Sequence, residues 1–151
     1  MSDTPSRTRI FSCRPGHAVE GRLCAKDIIN RLGTTAYRRP LTAEELAALL
    51  TLYDIGSSDK GFESGIRMAL EGVLASPHFV FRFEEPPVDS DPTSPFLISE
   101  HDLASRLSFF LWSSGPDKEL ADLAAANQLS RPDVLVSQTR RMLADPRSEA
   151  L

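Results

Sequence analysis

The chain has 151 residues, 41% of them hydrophobic and 25% charged, with a net charge of −4, which is the composition of an ordinary folded protein with room for one domain or two small ones. No run approaches the roughly 18 apolar residues a membrane span needs, and "MSDTPSRTRIFS" lacks the apolar stretch of a secretory signal, so neither membrane insertion nor self-directed export is expected. Residues 1–40 hold 8 Lys/Arg against 3 Asp/Glu and the remainder 9 against 18, a basic patch too dilute to neutralise several phosphates, so nucleic acid is not an expected partner.

From Glu20 to about Tyr37, Cys24, Ile28, Leu32 and Ala36 recur at four-residue spacing and mark one face of a helix, with Cys24 on its buried side. Pro40 blocks continuation. Thr42 and Glu45 then form a capping box for a helix expected from Ala43 to about Asp54, with Gly56 just past its end. A third helix spans Phe62–Ala75, with Phe62, Ile66, Ala69, Leu70, Val73 and Leu74 on its apolar side, and Ser76-Pro77 stops it. In "HFVFRFEE" the rings of Phe79, Phe81 and Phe83 alternate with other residues, which reads as an extended segment laying aromatic side chains on the helices.

Residues 86–95, "PPVDSDPTSP", contain four of the eleven prolines and no apolar period, the signature of a semi-rigid connection. Beyond it Ser99 caps a helix whose Leu103, Leu107, Phe110 and Leu111 form a stripe ending at Trp112. A short helix around Asp117–Asn127 follows, then another from Pro132 to Ala144, capped by Ser130, with Val134, Leu135, Gln138, Met142 and Leu143 inward. "RSEAL" looks like the opening of a further helix. The expected organisation is therefore a helical module over residues 1–84, a proline-rich linker over 85–98 and a second module over 99–151 that buries little surface for an independent core and is expected to be incomplete.

Few residues form a pattern with chemical meaning. A c-type haem needs Cys-x-x-Cys-His, but Cys13 and Cys24 stand eleven apart. Cys13, His17, Cys24 and the distant His78 or His101 have none of the spacings of a zinc site, so no metal site is expected. On the residues alone Cys13 and Cys24 fit either two buried free thiols, the commoner state of an isolated pair, or a disulfide returned by a Pro15-Gly16 turn. No Gly-x-Ser-x-Gly elbow is present, and Gly56, Gly61 and Gly65 lack the spacing of a phosphate-cradling loop. "SEHD" sets His101 between two carboxylates, a pattern better explained by acids at the positive end of a helix than by acid–base chemistry. Arg38 and Arg39 read as partners of helix-end carbonyls and surface acids rather than as an anion clamp. Phe109, Phe110 and Trp112 are a candidate interaction patch, although aromatic residues at helical spacing are usually core.

Four segments stand out together: "AYRRP", "LASPHFVFRFE" at Leu74 to Glu84, "LASRLSFFLWSS" and "RRMLADPRS". With their surroundings, from about Ile10 onward, they resemble two adjacent domains, the domain-of-unknown-function families 1595 and 1592. Such domains are found in large exported bacterial proteins that often carry a c-type cytochrome domain, most abundantly in planctomycetes. The resemblance implies an extracytoplasmic setting, periplasmic or exported, and in that setting a Cys13–Cys24 disulfide. It implies that the second domain continues beyond this chain, and that haem belongs to an associated cytochrome domain, with no cofactor in this chain. It supplies no catalytic residues.

The fold expected is all-α, with three helices on each side of the proline-rich stretch. The expected role is a non-catalytic scaffold or interdomain segment whose partners are the remaining domains of a longer protein. One alternative is part of an extracytoplasmic oxidoreductase or hydrolase whose site, lined by His78, Arg82, His101 or Arg106, is completed by other domains. A cytosolic helical interaction module with free thiols is the other.

Overall fold

The computed structural model describes residues 4–84, 86 and 95–150, and among them the chain forms eight α-helices and one 3₁₀ turn with no strand. They divide into two compact units, one ending at Phe81 and the other beginning at Arg82. Most of the proline-rich stretch expected to be a linker lies outside the described residues.

The first unit is built on α2 (Ala18–Tyr37), α3 (Ala43–Lys60) and α4 (Phe62–Ala75), flanked by two short helices, α1 (Pro5–Ile10) and α5 (Pro77–Val80). Helix α2 turns Cys24, Ala25, Ile28 and Ile29 into the core, where they meet Leu49, Leu50 and Tyr53 of α3 and Ile66, Ala69 and Val73 of α4. Each fully buried Ile or Leu contributes roughly 1.5–3 kcal/mol. Thr42 caps α3 as its sequence requires: its hydroxyl accepts from the Glu45 amide at 3.2 Å, and the Glu45 carboxylate accepts from the Thr42 amide at 2.8 Å.

Helix α3 does not stop near Gly56 as expected but runs on to Lys60. Gly56 faces α4, where a Cβ would come within 2.8 Å of the Ser64 carbonyl oxygen and 3.1 Å of Gly65 Cα. Glycine stands there because two backbones touch, not because the helix ends. The end is made by Gly61, whose φ of 79° suits glycine and whose amide donates to the Ser57 carbonyl; this one residue separates α3 from α4.

The expected extended segment is also revised. Ser76 caps a new turn by accepting from the His78 amide, and Pro77 occupies its first position, so residues 77–80 are helical and the chain extends only from Phe81. Alternation over so few residues was a misleading period. Phe79, Val80 and Phe81 stay substantially exposed.

The second unit packs α6 (Glu100–Trp112), α7 (Lys118–Ala125) and α8 (Pro132–Leu143), followed by the 3₁₀ turn Pro146–Ala150 where a further helix was expected to open. Its core joins Ala104, Leu111, Trp112, Leu120, Ala124, Leu129 and Met142, with Leu103, Leu107, Leu123 and Leu135 half-buried against it. Helix α6 turns Leu103, Leu107 and Leu111 of the expected stripe to the core, adds Ala104, Ser108 and Trp112 beside them, and leaves Phe110 outside. Ser130 does not cap α8; Arg131 holds that position, and Pro132 supplies the preset backbone angle. Leu74 and Leu143, both expected inward, are exposed.

Candidate functional site

The most distinctive sequence segments converge on two arginine-centred clusters, one in each unit. In the first unit α2 ends at Arg38, which adopts a left-handed backbone (φ 61°) and turns its side chain onto α5. Its guanidinium donates to the carbonyls of Ala36 (3.2 Å), His78 (2.8 Å), Phe79 (3.4 Å) and Phe81 (2.9 Å). One planar cation thereby satisfies carbonyls at the ends of two helices, a geometry a lysine has no means to reproduce.

Arg39 forms a two-pronged pair with Glu45, at 2.7 and 2.8 Å, and lies over the Tyr37 ring. His78 Nε2 stands 3.4 Å from the same carboxylate, its ring 5.5 Å from that of Tyr37. The Arg39 hydrogen bonds, against the opposing effect of burial and aided by the Thr42 amide, hold the Glu45 carboxyl down to about 2. A carboxylate so held stays ionised and makes a poor proton carrier near neutral pH.

In the second unit the indole N–H of Trp112 donates to the Met142 carbonyl at 3.0 Å, and the ring is buried. The guanidinium carbon of Arg147 lies 3.5 Å from the ring centroid and that of Arg141 5.5 Å from it. Arg141 grips Asp117 at 2.7 and 3.2 Å, while Asp117 also caps α7 by accepting from the Leu120 amide at 3.0 Å. Hydrogen bonding from Arg141 lowers the Asp117 pKa despite burial. Arg147 in turn pairs with Asp145, holding that carboxyl at about 2. "FFLWSSGPD" and "RRMLADPRS", far apart in sequence, thus interlock.

The remaining candidates separate. Cys13 and Cys24 are joined by a disulfide, with Cα atoms 5.9 Å apart, so neither offers a thiol for covalent haem attachment. No group of three or more His, Cys, Asp or Glu among the described residues is placed to hold a metal ion. Phe109, Phe110 and Trp112 do not form one surface: Trp112 is in the core, Phe109 is half-buried with Arg82 4.5 Å above its ring, and Phe110 is 70% exposed.

His78 belongs to the first unit, and Arg82, His101 and Arg106 belong to the second. Arg106 pairs with Glu84. Around His101 the carboxylates turn elsewhere, Glu100 to the amides of Leu129 (2.7 Å) and Ser130 (3.2 Å) and Asp102 to the Ser99 hydroxyl (2.7 Å). An open groove of about 360 Å³ between α7 and α8 is lined by Glu119, Leu123, Asp133, Val134, Ser137 and Gln138. Its carboxylates are engaged, Glu119 accepting from Gln138 at 2.7 Å and Asp133 pairing with Arg131.

Sequence reasoning recovered the structural duties of Arg38 and Arg39 but missed the Trp112 clasp, because nothing local tells an indole which carbonyl it will meet thirty residues on. Among the described residues no helix is long and apolar enough to cross a membrane. Residues 24–84 match the family model described as PSD5: Protein of unknown function (DUF1595), and residues 98–151 match the one described as PSD4: Protein of unknown function (DUF1592). Cys24 opens the first match, and Cys13 lies before it. No curated protein and no solved structure matches the chain.

Proposed function

We propose that this chain is a non-catalytic helical scaffold, an interdomain segment of an exported, cytochrome-associated multidomain protein. The observation that supports this reading most is the use made of its distinctive polar residues. Arg38, Arg39, Glu45, Asp117, Arg141 and Arg147 all lie in or beside the segments that mark the two families, and each is engaged in holding helix ends, capping amides or covering Trp112. The disulfide supports an oxidising compartment, since such bonds persist chiefly outside the reducing cytosol. Exposed Phe110, beside half-buried Phe109, is the surface offered to the remaining domains.

Two measurements test the proposal. Alkylation of intact cells before and after reduction should find Cys13 and Cys24 oxidised in an extracytoplasmic fraction; free thiols in the cytosol would remove the exported part. Alanine substitutions at His78, Arg82, His101 and Arg106 in the full-length protein should leave any redox or hydrolytic turnover within about twofold. A folded variant that lost about a hundredfold would replace the scaffold reading with an enzymatic one.

A further inference from the structure

The segment before α2 is fastened rather than embedded. Helix α1 has six residues, too few to persist alone, and buries none of them. Among the described residues its contacts with α2 and α4 include these: Arg31 donates to the carbonyls of Arg9 (3.0 Å) and Ile10 (2.9 Å), Arg7 pairs with Glu63, and the Phe11 ring stands 6.1 Å from that of Phe62. Ile10, Phe11 and Cys13 cover the core only in part, whereas the α2–α4 core beneath is continuous without them. The covalent fastening is Cys13–Cys24, and its two residues are unequally buried, Cys24 being 7% exposed and Cys13 half-buried.

We propose that the Cys13–Cys24 disulfide is a redox latch, whose reduction frees the strap of residues 4–13 and uncovers Phe62 while α2, α3 and α4 stay folded. The reductant is a dithiol. Its thiolate attacks Cys13 Sγ, on the less buried of the two residues; the S–S bond breaks, and its electron pair leaves on Cys24 Sγ, which takes a proton. The reductant's second thiol then attacks the mixed disulfide, releasing Cys13 as a thiol and leaving the reductant as a disulfide. Two electrons and two protons pass to the protein. Opening a loop of this length shifts the balance between closed and open strap about a hundredfold toward the open form.

Limited trypsin digestion of the 151-residue chain, with and without dithiothreitol, tests the proposal. Arg7 and Arg9 lie in the strap, whereas Arg22, Lys26, Arg31 and Arg67 lie in the helices beneath. Reduction in native buffer should raise cleavage after Arg7 and Arg9 about a hundredfold, leave the core sites protected and leave far-UV circular dichroism almost unchanged. Cys13→Ser should reproduce this without reductant. Three outcomes would overturn the latch: a bond that resists dithiothreitol until denaturant is added, cleavage unchanged after reduction, or simultaneous cleavage at the core sites, which would make the disulfide a support of the whole unit.

Discussion

The contact between α3 and α4 gives the sharpest quantitative test. In a helix interior Gly→Ala ordinarily stabilises by about 0.8–1 kcal/mol. At Gly65 a Cβ would sit 2.6 Å from Tyr53 Cδ2 and 2.7 Å from the Tyr53 carbonyl oxygen. The ring is buried against Phe62, and the carbonyl belongs to the α3 backbone, so neither yields cheaply. Ordinary contact at 3.4 Å therefore requires the helices to part by about 0.7 Å, a gap at which roughly a quarter to a half of each dispersion contact is lost. Overpacking of this kind costs about 1–3 kcal/mol, and the lost contacts along α3 add to it. After subtracting the gain in helix propensity, Gly65→Ala should destabilise the first unit by about 2 kcal/mol, lowering its melting temperature by roughly 10 °C. Tyr37 and Tyr53, the only two tyrosines of the chain, lie in this unit and report it by near-UV circular dichroism, while fluorescence of the single tryptophan, Trp112, reports the other. Gly56→Ala meets the same interface from the α3 side, so the double variant should cost less than the sum of the singles, the helices having already moved apart. A Gly65→Ala protein melting at or above the parent temperature, or strictly additive singles, would refute the close-approach account.

Glu45→Gln should remove an ionic contribution whose sign follows from its depressed pKa: it is fully present above the ordinary value of 4.5 and lost as pH falls through about 2. Screened by the solvent that still reaches the pair, the loss should be about 1–2 kcal/mol at pH 7 and vanish near pH 2, measured by urea unfolding across that range. Arg38→Gly keeps the left-handed backbone comfortable while deleting the donors, so amide hydrogen exchange over residues 78–81 should quicken at least tenfold with a stability loss of about 1.5–3 kcal/mol; unchanged exchange would show that the carbonyls do not depend on it. Trp112→Phe retains most of the ring but removes the indole donor from the Met142 carbonyl, which still accepts from the Asp145 amide at 3.2 Å, and should cost the second unit about 0.5–1.5 kcal/mol by far-UV circular dichroism.

Helix identity was legible wherever local chemistry decides it. Thr42 with Glu45, Pro40, Ser99 and Ser76-Pro77 all marked boundaries that the backbone obeys. Gly56 misled because a glycine chosen for closeness to another helix looks, in one dimension, like a glycine that ends one. Leu103, Leu107 and Leu111 of α6 were read correctly, but the stripe was drawn too far toward Phe110 for a related reason: Ala104 and Ser108 carry little apolar weight, yet their small size lets neighbours approach on the side where Trp112 bonds a distant carbonyl. Helix α1 left no periodic trace, being held by Arg31 and a disulfide from outside itself. The paired arginines were readable as structural because they follow a helix end; the stacking of Arg147 on Trp112 was not, since it depends on how α6 and the final turn meet.

The one-residue junction at Gly61 has a consequence for the order of folding. Because α3 and α4 adjoin in sequence and in space, their pairing has a low contact order and closes only a minimal loop. The hairpin is thus the natural nucleus of its unit. Helix α2 leaves the ribosome earlier, with Ile28 and Ile29 uncovered until that hairpin exists to receive them, so translation speed across residues 43–75 governs how long the nascent chain stays adhesive.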